Sequence, residues 1–146
     1  MINQQTGYLK PLQMLFSALL IGLTMASTVL YFFIERPKSE QSDVLLTNIL
    51  PSVMLSMVVL GYFLFNMRLK AMAEETELDA KKALYRSASL VKWAMFEGAT
   101  MLALIGYFFL DIDALLLGLV ASLAHFAIHF PSRQRVLREL AIDDID

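Results

Sequence analysis

Cysteine is absent from this chain of 146 residues, which excludes disulfides, thiolate nucleophiles and cysteine-ligated metals. Histidine is limited to two residues, tryptophan to one, proline to four and glycine to six. No phosphate-cradling loop, dinucleotide fingerprint or nucleophile constellation appears in the sequence. An enzyme is not expected, nor is a cofactor or a nucleic-acid partner. The net charge of −2 is uninformative, whereas the distribution of charge is not.

What the chain has in excess is apolar length. Four runs stand out, at 12–34, 44–67, 90–110 and 114–130. A helix needs about 20 apolar residues to cross a bilayer, fewer where polar ends reach outward. Four such runs cannot form the core of so small a soluble domain. The expectation is an all-α polytopic membrane protein, one domain of four transmembrane helices with the lipid bilayer as its surroundings. The first run, preceded by Lys10, also resembles a signal peptide. Its apolar part exceeds the usual ~7–15 residues and no A-x-A site follows, so an uncleaved span is expected.

Lys and Arg set the orientation. Lys10, then Arg68, Lys70, Lys81, Lys82, Arg86 and Lys92, then Arg133, Arg135 and Arg138 lie on one side, against Arg36 and Lys38 on the other. The positive-inside rule places both termini and the middle linker in the cytoplasm, here of a bacterial inner membrane. Tyr8 and Trp93 fall at the inner interface, Tyr31 and Tyr107 at the outer. The linker 68–89 has no Gly or Pro and offers a Glu77–Lys81 pair at i,i+4, so it reads as helical extensions folded over near 75–79. Pro11 suits a first helical turn, and Pro51 lies early in the second helix. Asp113 is placed to cap the fourth helix, and Ser132 a short amphipathic segment within 132–142.

The halves of the chain align without gaps. Ala18 falls on Ala94, Gly22 on Gly98, Thr24 on Thr100, Met25 on Met101 and Tyr31-Phe32-Phe33 on Tyr107-Phe108-Phe109. This suggests two tandem hairpins as parallel repeats about an axis along the membrane normal. Ala18, Gly22 and Ala26, then Ala94 and Gly98, then Ala114, Gly118 and Ser122 form small-xxx-small stripes that let helix backbones approach closely. They can serve the chain's own bundle or a second subunit.

Glu97 is the acid inside the third run, and Ile21 is its counterpart in the first half. An ionisable group in a bilayer costs ~2.5–3.5 kcal/mol on insertion scales and needs a partner or a purpose. Folding the last two helices about Ile112 puts Glu97 opposite Phe126, hence beside His125, about 10 Å into its helix. His129 is one turn further on the same face, and Tyr62 and Asn66 are the counterparts of the two histidines. Glu97, His125, His129 and Tyr62 are therefore the candidate ion- or proton-handling residues. A buried Glu bonded to a neighbour fixes helix register equally well, and both readings stand. A metal site is not expected, because His125 and His129 have only Glu97 as a nearby third ligand.

Two resemblances bear on this. A duplicated hairpin that keeps one acid resembles the proteolipid rotor subunits of V-type ATPases. That family carries its acid on the second helix of a hairpin after a glycine-dense helix, and this chain does neither. The segment Ala94-Met-Phe-Glu97-Gly98-Ala99, with Pro131-Ser132-Arg133 closing the fourth helix, resembles a family of small four-span membrane proteins of Bacteroidetes-type bacteria. That resemblance implies a four-span fold and no activity, and His125 and His129 lie outside its pattern. The sequence thus points to a non-enzymatic membrane protein, a homo-oligomer or a small subunit of a larger complex. A proton- or cation-handling channel or transporter using Glu97 with His125 is the alternative, and a quinone- or lipid-binding redox accessory a third.

Overall fold

Leu, Met, Ala and Phe dominate the long runs and cost little in a helix, so the runs fold as helices throughout. The computed structural model describes residues 7–33, 35 and 44–141. The described residues form α1 (Leu9–Phe33), α2 (Val44–Ala73), α3 (Leu78–Phe108), α4 (Ala114–Ile128) and α5 (Arg133–Leu140), with no strand among them. The first three are long and apolar enough to cross a membrane. At 15 residues α4 reaches that length only together with α5, from which it is bent by 76°. The described residues accordingly hold three candidate spans, or four if the bent pair counts as one.

The linker is helical on both sides of a short turn. Oε1 of Glu75 accepts from the backbone N–H of Thr76 (2.9 Å) and of Glu77 (3.2 Å), holding the break between α2 and α3. Glu77 and Lys81 share a backbone bond of 3.0 Å, not the ion pair that their spacing suggested. At the other end of α3, Asp111 takes a left-handed conformation (φ 55°), which Asp tolerates better than most residues. Ile112 then donates to the Gly106 carbonyl at 3.0 Å and is buried. Asp113 precedes α4, but its backbone is already helical and its side chain makes no capping bond, since a cap needs an extended backbone. Ser132 has that backbone (ψ 154°), and its hydroxyl accepts from the N–H of Arg135.

Helix α3 is the centre of the bundle. Helices α2 and α4 pack along it, α1 lies across α3 and α4, and α5 folds back beneath α2 and α3. Helices α1 and α2 make no comparable contact with each other. The α2–α3 pair is antiparallel, with Gly61 beside Met95, Met57 beside Gly98, and an Arg68–Ser87 hydrogen bond near the turn. A Cβ on Gly61 would lie 3.0 Å from that of Met95, tighter than ordinary contact, so this close crossing favours the glycine.

Two apolar cores result. One, around Met54, Ala103, Tyr107 and Leu119, lies toward the α3–α4 turn. The other, around Phe16, Phe65, Trp93, Phe96 and Phe126, lies toward the α2–α3 turn. Phe16 stacks on Phe126 (4.7 Å, 6°) and meets Trp93 edge-on (5.1 Å). Trp93 is thereby buried in the core rather than placed at an interface, because α1 covers its face of α3. Thr24, Thr28, Ser27, Ser52, Ser56 and Thr100 each donate to the carbonyl four residues back. Hydroxyls bonded in this way need no water, as lipid surroundings require.

Candidate functional site

Polar side chains gather inside the second core. Tyr62 and Phe65, three residues apart, share a face of α2. Tyr85, Ser89, Lys92 and Phe96 share a face of α3, His125 and His129 a face of α4, and α5 brings Glu139.

The Tyr62 hydroxyl lies 3.1 Å from Nε2 of His125 and 2.5 Å from Nε2 of His129. Nδ1 of His129 lies 2.7 Å from the His125 carbonyl, which only accepts, so that nitrogen carries a proton. With both imidazoles neutral, a single proton arrangement satisfies all three contacts. His125 donates through Nε2 to the Tyr62 oxygen, Tyr62 donates to Nε2 of His129, and His129 donates back to the carbonyl. The chain of bonds has a direction, and Nδ1 of His125 is left as a bare acceptor. Phe96 closes the site, its ring 4.8 Å from that of His125 and 5.4 Å from that of His129.

Lys92 lies next to this chain and is only 4 % exposed. Its Nζ sits 3.5 Å from the centroid of the Phe65 ring, and no carboxylate among the described residues is within ion-pair distance. A desolvated cation–π contact contributes ~2 kcal/mol, well short of the several kcal/mol that removing an ammonium from water costs. Lys92 acts electrostatically on both imidazoles, while Glu139 and Arg135 act on Lys92.

Helix α5 seals the cluster. Tyr85 donates to the Glu139 carboxylate at 2.6 Å, and Val136 and Leu140 are buried against the core. Arg135 donates to the Ile128 carbonyl at 2.9 Å, placing a cation at the C-terminal end of α4, where the helix dipole favours it. Gln13 of α1 holds the same corner through the Pro131 carbonyl at 3.0 Å. Outside the helices, Tyr8 donates to the Lys82 carbonyl at 2.6 Å. Burial pushes its hydroxyl up to about 12, against a smaller opposite pull from Arg86, so it remains a donor at neutral pH.

Of the residues singled out in the sequence, Tyr62, His125 and His129 come together. Neither imidazole bonds to Glu97, which is half-buried on α3. Phe96 is the α3 side chain that faces His125, and one residue is a rotation of about 100° on a helix. The small-residue positions divide. Gly98 and Gly118 meet Met57 and Met54 of α2, and Ser122 donates to the Leu119 carbonyl at 3.0 Å. Ala18, Gly22 and Ala94 are exposed, Ala26 is half-buried, and a Cβ on Gly22 would meet nothing within 4 Å among the described residues.

Lys92, Tyr85 and Glu139 escaped the sequence reading. Lys92 counted there as one more basic residue of the cytoplasmic side, although its helical spacing from Ser89, Phe96 and Ala99 marks the inward face of α3. Compared with known proteins, the chain matches no family model, no curated protein and no solved structure.

Proposed function

We propose that this chain is a multi-pass protein of a bacterial inner membrane, not an enzyme, that works through helix–helix association. It acts as a homo-oligomer or as a small subunit of a larger membrane complex. In this reading the membrane is crossed four times, α4 and its bent continuation forming the last span, and both termini are cytoplasmic. The supporting observation is the outward placement of the α1 stripe. Leu9, Leu12, Phe16 and Leu23 turn inward, whereas Ala18 and Gly22 face away from the bundle. Small residues in a membrane helix matter where another backbone approaches closely, and among the described residues nothing lies within 4 Å of a Cβ placed on Gly22. Copurification from native membranes tests association: further copies or a stable partner support it, and a lone monomer refutes it. Cysteines at Ser39, which lies outside the described residues, and at Ser87 test the topology. They should label from opposite sides of the membrane, and labelling from one side would overturn it.

Proton handling is a second reading, supported by the directional His125–Tyr62–His129 chain rather than by a Glu97–His125 pair. A proton taken up at Nδ1 of His125 displaces the one on Nε2 to the Tyr62 oxygen. The original Tyr62 proton then passes to Nε2 of His129. The charge moves one helical turn along α4 while every heavy atom stays in place. Proton flux in proteoliposomes, wild type against Tyr62→Phe, tests this: flux that depends on Tyr62 supports it, and equal flux refutes it.

A further inference from the structure

A groove of about 650 Å³ is lined by Tyr8, just before α1, and by one face of α3. The α3 positions recur at helical spacing, so the lining has an order along the axis. Asp79 comes first, Lys82 and Arg86 next, and Leu90 with Val91 last. Arg86 stands one turn, about 6 Å, from Leu90, where the apolar run 90–110 begins. Two cations converge on Tyr8. Nζ of Lys82 lies 5.9 Å from the centroid of its ring, and Arg86 acts electrostatically on its hydroxyl. That hydroxyl donates to the Lys82 carbonyl, which holds the ring against α3. A third cation stands at the margin, because Arg68 of α2 donates to the hydroxyl of Ser87, which also lines the groove. Asp79 is the one acid in the lining, and no ion pair among the described residues neutralises Lys82 or Arg86.

We propose that this groove binds an anionic phospholipid, its phosphate held by Lys82 and Arg86 and the start of an acyl chain lying on Leu90 and Val91. The inference rests on the reading of the apolar runs as membrane spans. The headgroup layer of a bilayer extends about 5–8 Å beyond the hydrocarbon, which matches the distance of Arg86 from Leu90. Lys82 stands a further turn out and reaches back along its flexible stem. Ammonium and guanidinium groups donate to phosphate oxygens in charge-assisted bonds. A soluble anion would use the two cations and leave Leu90 and Val91 without an apolar partner. A zwitterionic head brings its own cation to a lining whose cations already outnumber its acid.

The probe is a phosphatidylglycerol with a diazirine near the glycerol end of one acyl chain, photolysed with the full chain in phosphatidylcholine nanodiscs. Labelling is expected within residues 87–92. Unlabelled phosphatidylglycerol should displace the probe about 25-fold better than phosphatidylethanolamine, at about fivefold for each of the two cations. Arg86→Gln should bring that ratio to about five, and Lys82→Gln with Arg86→Gln to about one. Neither residue belongs to a core, so both proteins should keep the wild-type melting temperature. Arg86→Gln, at an exposed position, decides alone if the double variant does not fold. Lys81→Gln, about 100° round the helix from Lys82 and outside the lining, should leave the ratio unchanged. Equal displacement by the two lipids, or an equal loss in Lys81→Gln and Arg86→Gln, would overturn the proposal. Displacement by millimolar inorganic phosphate or hexa-aspartate would overturn it too, making the groove a site for soluble anions. Labelling of the apolar runs without selectivity at 87–92 would overturn it and leave the membrane reading standing, whereas an unlabelled chain would overturn both.

Discussion

Nζ of Lys92 lies 3.5 Å from the centroid of the Phe65 ring, a buried ammonium facing an aromatic surface in place of a counter-ion. The ring's negative face is the compensation that this charge finds within its core. A double-mutant cycle with Lys92→Met and Phe65→Leu should therefore give a coupling of about 1–2 kcal/mol in thermal stability. Lys92→Met alone should be neutral or stabilising, because a buried charge is replaced by a side chain of similar length. A coupling near zero would show that Lys92 is held by something other than Phe65.

Tyr62 serves two imidazoles through one oxygen. Removing that oxygen leaves Nε2 of His129 without its donor and Nε2 of His125 without its acceptor. Tyr62→Phe should lower stability by about 1–3 kcal/mol in a detergent or nanodisc melt. His129→Phe combined with Tyr62→Phe should cost less than the sum of the two. Additive losses would mean that the residues do not act through a shared bond.

Helix α5 is eight residues long, too short to be stable alone, and depends on its docking. Glu139→Ala removes the acceptor for Tyr85, so amide exchange over 133–140 should rise at least several-fold. Glu139→Gln, which still accepts, should restore much of the protection. Unchanged exchange in Glu139→Ala would assign the docking to Val136 and Leu140 alone.

Much of the fold is legible in the amino-acid pattern because hydropathy and punctuation act locally. The long helices follow from Leu-, Met- and Phe-rich runs, the break after Ala73 from Glu-rich polar residues, and the start of α5 from Ser132. The candidate site is less legible, because it depends on rotation and on what folds over it. Counting residues around the Ile112 turn yields a depth for Glu97 but no azimuth, and Phe96 is the residue turned to His125. Lys92 reads as one more cytoplasmic-side charge until α5 returns across it, a tertiary event that no local spacing of charges encodes. Asp113 matches the residue preference of a cap but lacks its backbone conformation.

The paired glycines separate packing inside the bundle from packing outside it. A Cβ on Gly98 would run into the Met57 side chain, whereas one on Gly22 is free. Gly98→Leu should destabilise the chain by about 1–3 kcal/mol through overpacking. Gly22→Leu should leave the melting temperature of the isolated chain unchanged and weaken association instead. The opposite assignment would place Gly22 inside the fold.

Cross-linking at Gly22 in native membranes tests the association reading most directly, since the chain has no cysteine of its own to interfere. Gly22→Cys should yield, on mild oxidation, a disulfide-linked pair of copies, or with a short thiol–amine cross-linker a discrete adduct with another membrane protein. Cysteine at Thr28, exposed on α1 and about 120° round the helix from Gly22, should do so far less. A Gly22→Cys protein that remains monomeric under both treatments, or that cross-links no better than Thr28→Cys, would contradict association through this face.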